Sequence, residues 1–92
     1  MDDQDQPDDQ GFIVEAQGPD GVFGVFEDDG ETGYLYLYEP EGGGIIQHLH
    51  IYDRGKLPTT IEETDVSVDW DGNKCSVAIQ GLHRGTIETK RG

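Results

Sequence analysis

Hydrophobic and polar side chains alternate along most of the chain, in short runs that turn residues separate. A period of two places successive side chains on opposite faces of a β-strand. Seven runs have this character: 11–16, 21–27, 33–39, 45–52, 65–70, 74–80 and 82–89. Glycine-rich turns separate several of them, at 18–21, 28–30, 42–44 and 71–73. The pattern predicts an all-β fold: one small antiparallel meander of about seven strands, forming a barrel or a sandwich.

Residues 53–64 form the longest segment without this alternation. Within it, 58–63 is compatible with one short helical turn capped by Thr59 or Thr60. A chain of 92 residues builds one modest hydrophobic core. We therefore expect residues 11–92 to form a single β domain.

The register of the hairpin at 65–80 follows from its loop, because opposed residues in an antiparallel pair share a face. A four-residue loop over 71–74 predicts three apolar pairs: Trp70 with Cys75, Val68 with Val77, and Val66 with Ile79. A two-residue loop at 71–72 shifts the partners but keeps the same apolar face. In both cases the hairpin has one wet face, which carries Asp65, Ser67 and Asp69.

Two faces of different character are predicted for the strands around 33–39 and 45–52. A five-residue loop over 40–44 predicts one face with the pairs Tyr38–Ile46, Tyr36–His48 and Tyr34–His50, and an opposite face with Leu35–Leu49 and Leu37–Gln47. A turn at 29–30 or 30–31 adds Phe23 and Val25 to the tyrosine side, and Val22 and Phe26 to the aliphatic side. The aliphatic side is the stronger core candidate. The tyrosine side is either a second core layer or a recognition surface.

Charge excludes several classes of partner. Twenty Asp and Glu residues against six Lys and Arg give a formal net charge of −14, which repels phosphate backbones and anionic membranes. We expect neither nucleic acid nor membrane to be a partner.

The first ten residues contain five Asp and no large apolar side chain after Met1, which predicts a disordered acidic tail over 1–10. This segment lacks the basic and apolar regions of a signal peptide. The single cysteine, Cys75, agrees with a reducing compartment. The expected location is the cytoplasm.

Two patterns of metal-ligating side chains are present. His48 and His50 lie two residues apart, and His83 supplies a third imidazole, so a zinc site is conceivable, but the sequence places no carboxylate or thiolate beside them. The acidic segments 27–31 and 69–73 resemble calcium loops. In the second, however, Lys74 stands where glycine is needed and Gln80 where the closing glutamate is needed. We expect half-exposed sheet histidines and solvated turns, with no bound metal.

No combination of residues forms a catalytic set. Cys75 alternates with Val77 and Ile79, which predicts a buried thiol rather than a nucleophile. No serine lies in a nucleophile elbow, and no glycine-rich loop opens a helix that would hold phosphate. We expect a protein that is not an enzyme and binds no cofactor.

The segment from Val25 to Tyr36 contains Phe-Glu-Asp-Asp-Gly-Glu-Thr-Gly-Tyr, and His50-Ile51-Tyr52 and an Asp-Gly turn after Trp70 follow it. Together these residues resemble a family of small bacterial proteins, domain-of-unknown-function family 2251. The resemblance covers most of the chain after the first ten residues. It implies a bacterial stand-alone domain and brings no activity or site residue with it.

The sequence favours a protein-binding module, such as an immunity protein or small inhibitor, that engages a cationic partner. Tyrosine offers rigid contact area at low entropy cost. The candidate binding residues form two groups. The aromatic and imidazole group is Tyr34, Tyr36, Tyr38, His48 and His50, and Tyr52 is a fourth tyrosine near it in the sequence pattern; the acidic group is Glu27, Asp28, Asp29 and Glu31. The alternative is a β-barrel that binds a small ligand or a metal through the same tyrosines and histidines.

Overall fold

The computed structural model describes residues 11–57 and 60–89. Seven strands make up most of this part: β1 (Phe12–Gln17), β2 (Phe23–Asp28), β3 (Thr32–Glu39), β4 (Gly44–Asp53), β5 (Val66–Asp71), β6 (Lys74–Ile79) and β7 (Leu82–Glu88). Each strand begins and ends within two residues of its predicted bounds, so the all-β prediction is confirmed. The tail predicted over 1–10 lies outside the described residues.

The strands form two antiparallel sheets in chain order. The four-stranded sheet has the order β1-β2-β3-β4, and the three-stranded sheet has the order β5-β6-β7. β1 and β2 lie against β5, while β3 and β4 lie against β7. Of the two architectures that the sequence allows, the molecule adopts the sandwich.

The core lies between the two sheets and takes apolar side chains from both. The Phe26 ring is central to it, with its centroid 6.0 Å from that of Phe12 and 5.8 Å from that of Tyr52. The buried cluster consists of Val22, Phe26, Leu35, Leu37, Tyr52, Ile61, Val66, Val68, Cys75, Val77, Ile79 and Ile87. The aliphatic side of the four-stranded sheet therefore faces inward, as predicted.

The hairpin of β5 and β6 has the predicted apolar pairs, Trp70–Cys75, Val68–Val77 and Val66–Ile79. Asp71 also pairs with Lys74, so the strands continue further than a four-residue loop would allow. The connection is the two residues Gly72 and Asn73, and Gly72 has a φ of 64°, a left-handed conformation that glycine adopts without strain.

The register of β3 and β4 agrees with four of the five predicted pairs, including Tyr34–His50 and Tyr36–His48. The prediction for Tyr38 is wrong. A bulge after Leu37 sets Tyr38 opposite Ile45 instead of Ile46, because one extra residue on β4 shifts the pairing there.

A second bulge lies between Gly33 and Tyr34, and it changes the position of Tyr52. Alternation from His50 would place Tyr52 on the tyrosine side. The bulge instead pairs Tyr52 with Gly33, and the Tyr52 side chain is buried at 4% exposure in the core. Tyr52 therefore does not belong with the other three tyrosines.

The helical turn predicted near 58–63 occurs further along the chain. Pro58 and Thr59 lie outside the described residues, and a 3-10 turn spans Glu63–Asp65. The Glu62 N–H donates to Asp65 Oδ2 at 2.9 Å, and the Asp65 N–H donates to the Glu62 carbonyl at 2.8 Å. Glu62 is therefore the N-cap of this turn. Two further 3-10 turns span Pro19–Gly21 and Arg54–Lys56.

Side chains join the sheets along both edges of the sandwich. The Trp70 indole N–H donates to the Ala16 carbonyl at 2.9 Å, and the Gln47 amide donates to the Glu88 carbonyl at 2.7 Å. Between these edges, β2 approaches β6 closely at Gly24. A Cβ atom at Gly24 would overlap Cys75 Sγ, so the absence of a side chain there permits the observed spacing.

We predict that Gly24→Ala lowers the free energy of unfolding by about 1–3 kcal/mol, because the added methyl overpacks the core against Cys75. Gly55→Ala is the matched control, since a Cβ at Gly55 meets nothing within 4 Å. Urea denaturation of both variants measures the difference.

The variant Cys75→Ala removes the Sγ atom that the new methyl would meet. Combined with Gly24→Ala, it should give a double variant more stable than the sum of the two single effects predicts. Additive effects would show that the close approach at Gly24 does not set the spacing of the sheets.

Candidate functional site

The outward surface of the four-stranded sheet, which we call the tyrosine face, carries most of the predicted binding residues. It comprises Ile13, Glu15, Phe23, Val25, Glu27, Tyr34, Tyr36, Tyr38, Ile45, His48 and His50, which neighbour one another across the four strands. Strand alternation sends Leu35 and Leu37 into the core, so Tyr34, Tyr36 and Tyr38 point away from it. The three-stranded sheet packs on the opposite side.

The side chains of the tyrosine face are in contact with solvent. Tyr38 is 40% exposed and Ile45 58% exposed, His48 and His50 are exposed, and Tyr34 and Tyr36 are partly buried. Only Val25, in the middle of this face, is buried. Of the two possibilities left by the sequence, the tyrosines therefore form a surface and not a second core layer.

Two of the tyrosine hydroxyls are held by carboxylates. Tyr36 donates to Glu27 Oε1 at 3.2 Å, and Tyr34 donates to Asp29 Oδ2 at 3.3 Å. The negative charge of Asp29 raises the pKa of Tyr34, and burial, followed by the charge of Glu27, raises the pKa of Tyr36. Both hydroxyls therefore stay protonated at neutral pH.

The turn between β2 and β3 presents the acidic group. Asp29 Oδ1 accepts hydrogen bonds from the backbone N–H groups of Glu31 and Thr32, each at 2.9 Å. These bonds lower the pKa of Asp29, because they stabilise its ionised form. Asp29 and Glu31 are both exposed at this end of the tyrosine face, so the turn places fixed negative charge beside the tyrosines.

Asp28 does not belong to this exposed group, because its side chain points into the protein and it is only 1% exposed. Its carboxylate accepts hydrogen bonds from the Tyr52 hydroxyl at 2.5 Å, from Arg54 Nε at 2.9 and 3.1 Å, and from the Gly30 N–H at 2.8 Å. β2 continues through Asp28, so the residue shares the inward side with Phe26. Alternation from Phe26 was the sequence signal for this burial.

The buried carboxylate joins three segments of the chain. Asp28 ends β2, Tyr52 lies in β4, and Arg54 begins the 3-10 turn that follows β4. The backbone N–H of Arg54 also donates a hydrogen bond to the Glu31 carbonyl at 2.7 Å. Burial raises the pKa of Tyr52 strongly, and its hydrogen bond to Asp28 adds to this shift. The cluster therefore anchors the acidic turn from beneath.

A shallow depression of about 210 Å³ lies within the tyrosine face. Its lining residues are Glu27, Tyr34, Tyr36, Ile45 and His48. Four of these were predicted from the sequence as binding residues. Ile45 was not, because the bulge after Leu37 is what brings it opposite Tyr38.

The three histidines are not brought together. His48 and His50 lie on the tyrosine face, whereas His83 lies on β7 in the other sheet, where its Nε2 atom is 2.8 Å from Thr86 Oγ1. His50 Nε2 lies 3.0 Å from Asp53 Oδ1. Within 11–57 and 60–89, no three His, Cys, Asp or Glu side chains are grouped in a way that would hold a metal ion.

Cys75 lies in the core with no exposed surface. Burial raises the pKa of its thiol to about 11. The side chain is therefore a protonated thiol at neutral pH, which does not act as a nucleophile.

Charge is divided unequally along the chain. Residues 1–53, which include the four-stranded sheet, contain fourteen Asp and Glu and no Lys or Arg. Residues 54–92, which include the three-stranded sheet, contain six of each sign. The whole net charge of −14 thus belongs to the half of the chain that carries the tyrosine face. This division is visible in the sequence, although the total charge alone does not show it.

Comparison with known families places the chain among bacterial proteins. The model of a family described as an uncharacterized protein conserved in bacteria, DUF2251, matches residues 8–91. The chain belongs to this family. The match confirms the resemblance seen in the segment from Val25 to Tyr36, and it extends over both sheets of this DUF2251 protein.

Two other searches, one of curated proteins and one of solved structures, found no match to this DUF2251 protein. In the part of the chain that the structure describes, no helix has the length and apolar character needed to cross a membrane.

We predict that Tyr52→Phe lowers the free energy of unfolding by about 1.5–3 kcal/mol, because the buried Asp28 carboxylate loses a hydrogen-bond donor. Tyr38→Phe is the matched control, since its side chain is 40% exposed, and it should change stability by less than about 0.5 kcal/mol. Chemical denaturation at neutral pH measures both.

Stability at alkaline pH gives a second readout for Tyr52. Its pKa is raised in the folded state from the ordinary value of 10.0, so above about pH 10 the folded protein holds a proton that the unfolded chain releases. Wild-type stability should therefore fall more steeply than that of Tyr52→Phe above this pH. Parallel curves would contradict the burial of the Tyr52 hydroxyl.

Proposed function

We propose that this DUF2251 protein is a non-enzymatic protein-binding module, of the immunity or inhibitor kind, whose tyrosine face engages a cationic protein. The observation that carries the proposal is the exposed aromatic surface on an acidic sheet: residues 11–53, which form that sheet and its turns, contribute the negative charge of nine Asp and Glu. The described residues of that sheet supply no Lys or Arg to neutralise it.

The contact area is organised by internal hydrogen bonds before binding. Tyr34, Tyr36 and Tyr38 project from one strand, and the hydroxyls of the first two are held by Asp29 and Glu27. A tyrosine fixed by its backbone and a hydrogen bond loses little conformational freedom when a partner covers it. Ile13 and Ile45, which are 48% and 58% exposed, add apolar area that binding would remove from water.

The charge has a separate effect, which is kinetic. A surface of one sign attracts a partner of the other sign before contact and raises the association rate. The aromatic side chains that the partner covers on binding then determine how slowly the complex dissociates. A basic protein satisfies both requirements, whereas nucleic acid and anionic lipid would be repelled.

The alternative, a β-barrel that binds a small ligand or a metal, has less support. A barrel holds its ligand in the interior, and the interior of this sandwich is filled by the side chains of both sheets. The depression on the tyrosine face is shallow, and a shallow site suits one side chain of a larger partner better than an enclosed ligand.

The proposal predicts salt-dependent retention of basic proteins. The immobilised protein should capture one or more basic proteins from a lysate of a bacterium that encodes a family member, at about 0.05 M salt, and lose them at about 0.5 M, because screening shortens the range of the attraction. Mass spectrometry identifies the captured proteins.

Matched variants locate the surface. Glu15→Gln, Glu27→Gln and Glu31→Gln together should abolish capture, whereas Glu63→Gln, Asp69→Asn and Asp71→Asn remove the same charge from the other half of the chain and should retain it. With a purified partner, the first set should mainly slow association and Tyr36→Ala should mainly speed dissociation. The proposal would be contradicted if the amount of captured protein did not depend on salt concentration, or if both sets of variants reduced it equally.

A further inference from the structure

The depression on the tyrosine face combines aromatic, aliphatic, imidazole and carboxylate side chains in its lining. It has aromatic sides from Tyr34 and Tyr36, an exposed aliphatic side chain in Ile45, and a carboxylate in Glu27. This lining suits a ligand group that is flat, cationic and weakly hydrated.

Glu27 is held in place and its charge is uncompensated. The Tyr36 hydroxyl fixes its Oε1 atom at 3.2 Å, and the side chain is partly buried. Glu27 takes part in neither of the ion pairs Arg54–Asp28 and Lys56–Asp53, nor in the contact of His50 with Asp53. A carboxylate accepts several hydrogen bonds at once, so Glu27 keeps acceptor sites for a ligand.

We propose, as a refinement that rests on the proposed function, that this depression is a pocket for one arginine side chain of the cationic partner. The guanidinium donates to the Glu27 carboxylate and stacks on the rings of Tyr34 and Tyr36, while its aliphatic stem lies against Ile45. The charge of Glu15, which acts on Tyr36 across the sheet, adds to the attraction.

Arginine fits better than lysine for physical reasons. Its planar guanidinium presents several N–H donors in a fixed geometry, stacks on aromatic rings and loses less hydration on burial than an ammonium group. Two carboxylates, Glu15 and Glu27, lie near Tyr36, so a fixed positive charge is favoured there over a neutral group.

A second copy of this chain fits the pocket poorly. A symmetric dimer through the tyrosine face would bring two acidic surfaces together, and residues 11–53 have no Lys or Arg to offer. Two copies that each carry a net charge of −14 also repel one another in any other arrangement, so charge complementarity points to a different, basic protein as the source of the arginine.

The test uses N-acetyl-arginine methylamide as the probe, titrated into the isotope-labelled full chain and followed by NMR at low salt. We expect saturable shifts at Tyr34, Tyr36 and His48, with weaker binding of the lysine analogue. The citrulline analogue, which has nearly the same shape and no charge, should bind at least about tenfold more weakly, because a charge-assisted hydrogen bond is lost.

Variants separate a specific pocket from general attraction. Glu27→Gln should weaken probe binding about tenfold, whereas Glu63→Gln, an identical charge change on an exposed residue outside the tyrosine face, should leave it unchanged. Unchanged thermal unfolding would show that both variants are folded. Equal binding of citrulline, equal losses in the two variants, or a concentration-dependent dimer that occupies the same residues would each overturn the arginine pocket.

The outcomes distinguish this inference from the proposed function. If basic proteins are captured in a salt-dependent way while the arginine probe fails to bind at Glu27, the protein-binding function stands and the pocket does not. If the probe binds and no basic protein is captured, the pocket stands and the proposed function fails.

Discussion

The close contact of the two sheets at Gly24 and Cys75 governs the rest of this structure. Because Gly24 has no side chain, β2 lies near enough to β6 for both sheets to share one filled core. The Trp70 indole donates to the Ala16 carbonyl and closes one edge of that interface. The three-stranded sheet covers only one face of the four-stranded sheet, so the other face of the larger sheet is left as surface. The openness of the tyrosine face is thus a direct result of how the core is built.

The sequence was sufficient for features that depend on neighbouring residues. Alternation predicted all seven strands, and the registers drawn from assumed loops gave the observed pairing of Val68 with Val77 and of Tyr36 with His48, although both connections are shorter than assumed. It failed for Tyr38 and Tyr52, where bulges shift the register. The position of a bulge depends on the twist and packing of the whole sheet, and no local sequence pattern marks that position.

The candidate site was predicted to a similar degree. The tyrosines of β3 and the histidines of β4 are brought together as expected, since they share strand parity. The sequence analysis grouped Asp28 with its acidic neighbours. Asp28 lies two residues after Phe26, however, so strand alternation already placed its side chain on the core side of the sheet. The sequence could not predict whether the tyrosines face solvent, because the alternation of side chains is the same whether other layers pack on one face of the sheet or on both. That outcome depends on the number of layers, which only the complete fold determines.

Among the described residues, acidic side chains without basic partners on the same sheet concentrate in 11–53, whereas 54–57 and 60–89 carry both signs, so the charge distribution has a dipole. Its negative end lies on the side of the four-stranded sheet, and the three-stranded sheet forms the opposite end. A dipole experiences a torque in an electric field as well as a force. Near a positively charged body, this asymmetry favours orientations that turn the four-stranded sheet toward it. Such pre-orientation removes part of the rotational search that keeps most protein associations far below the diffusion limit.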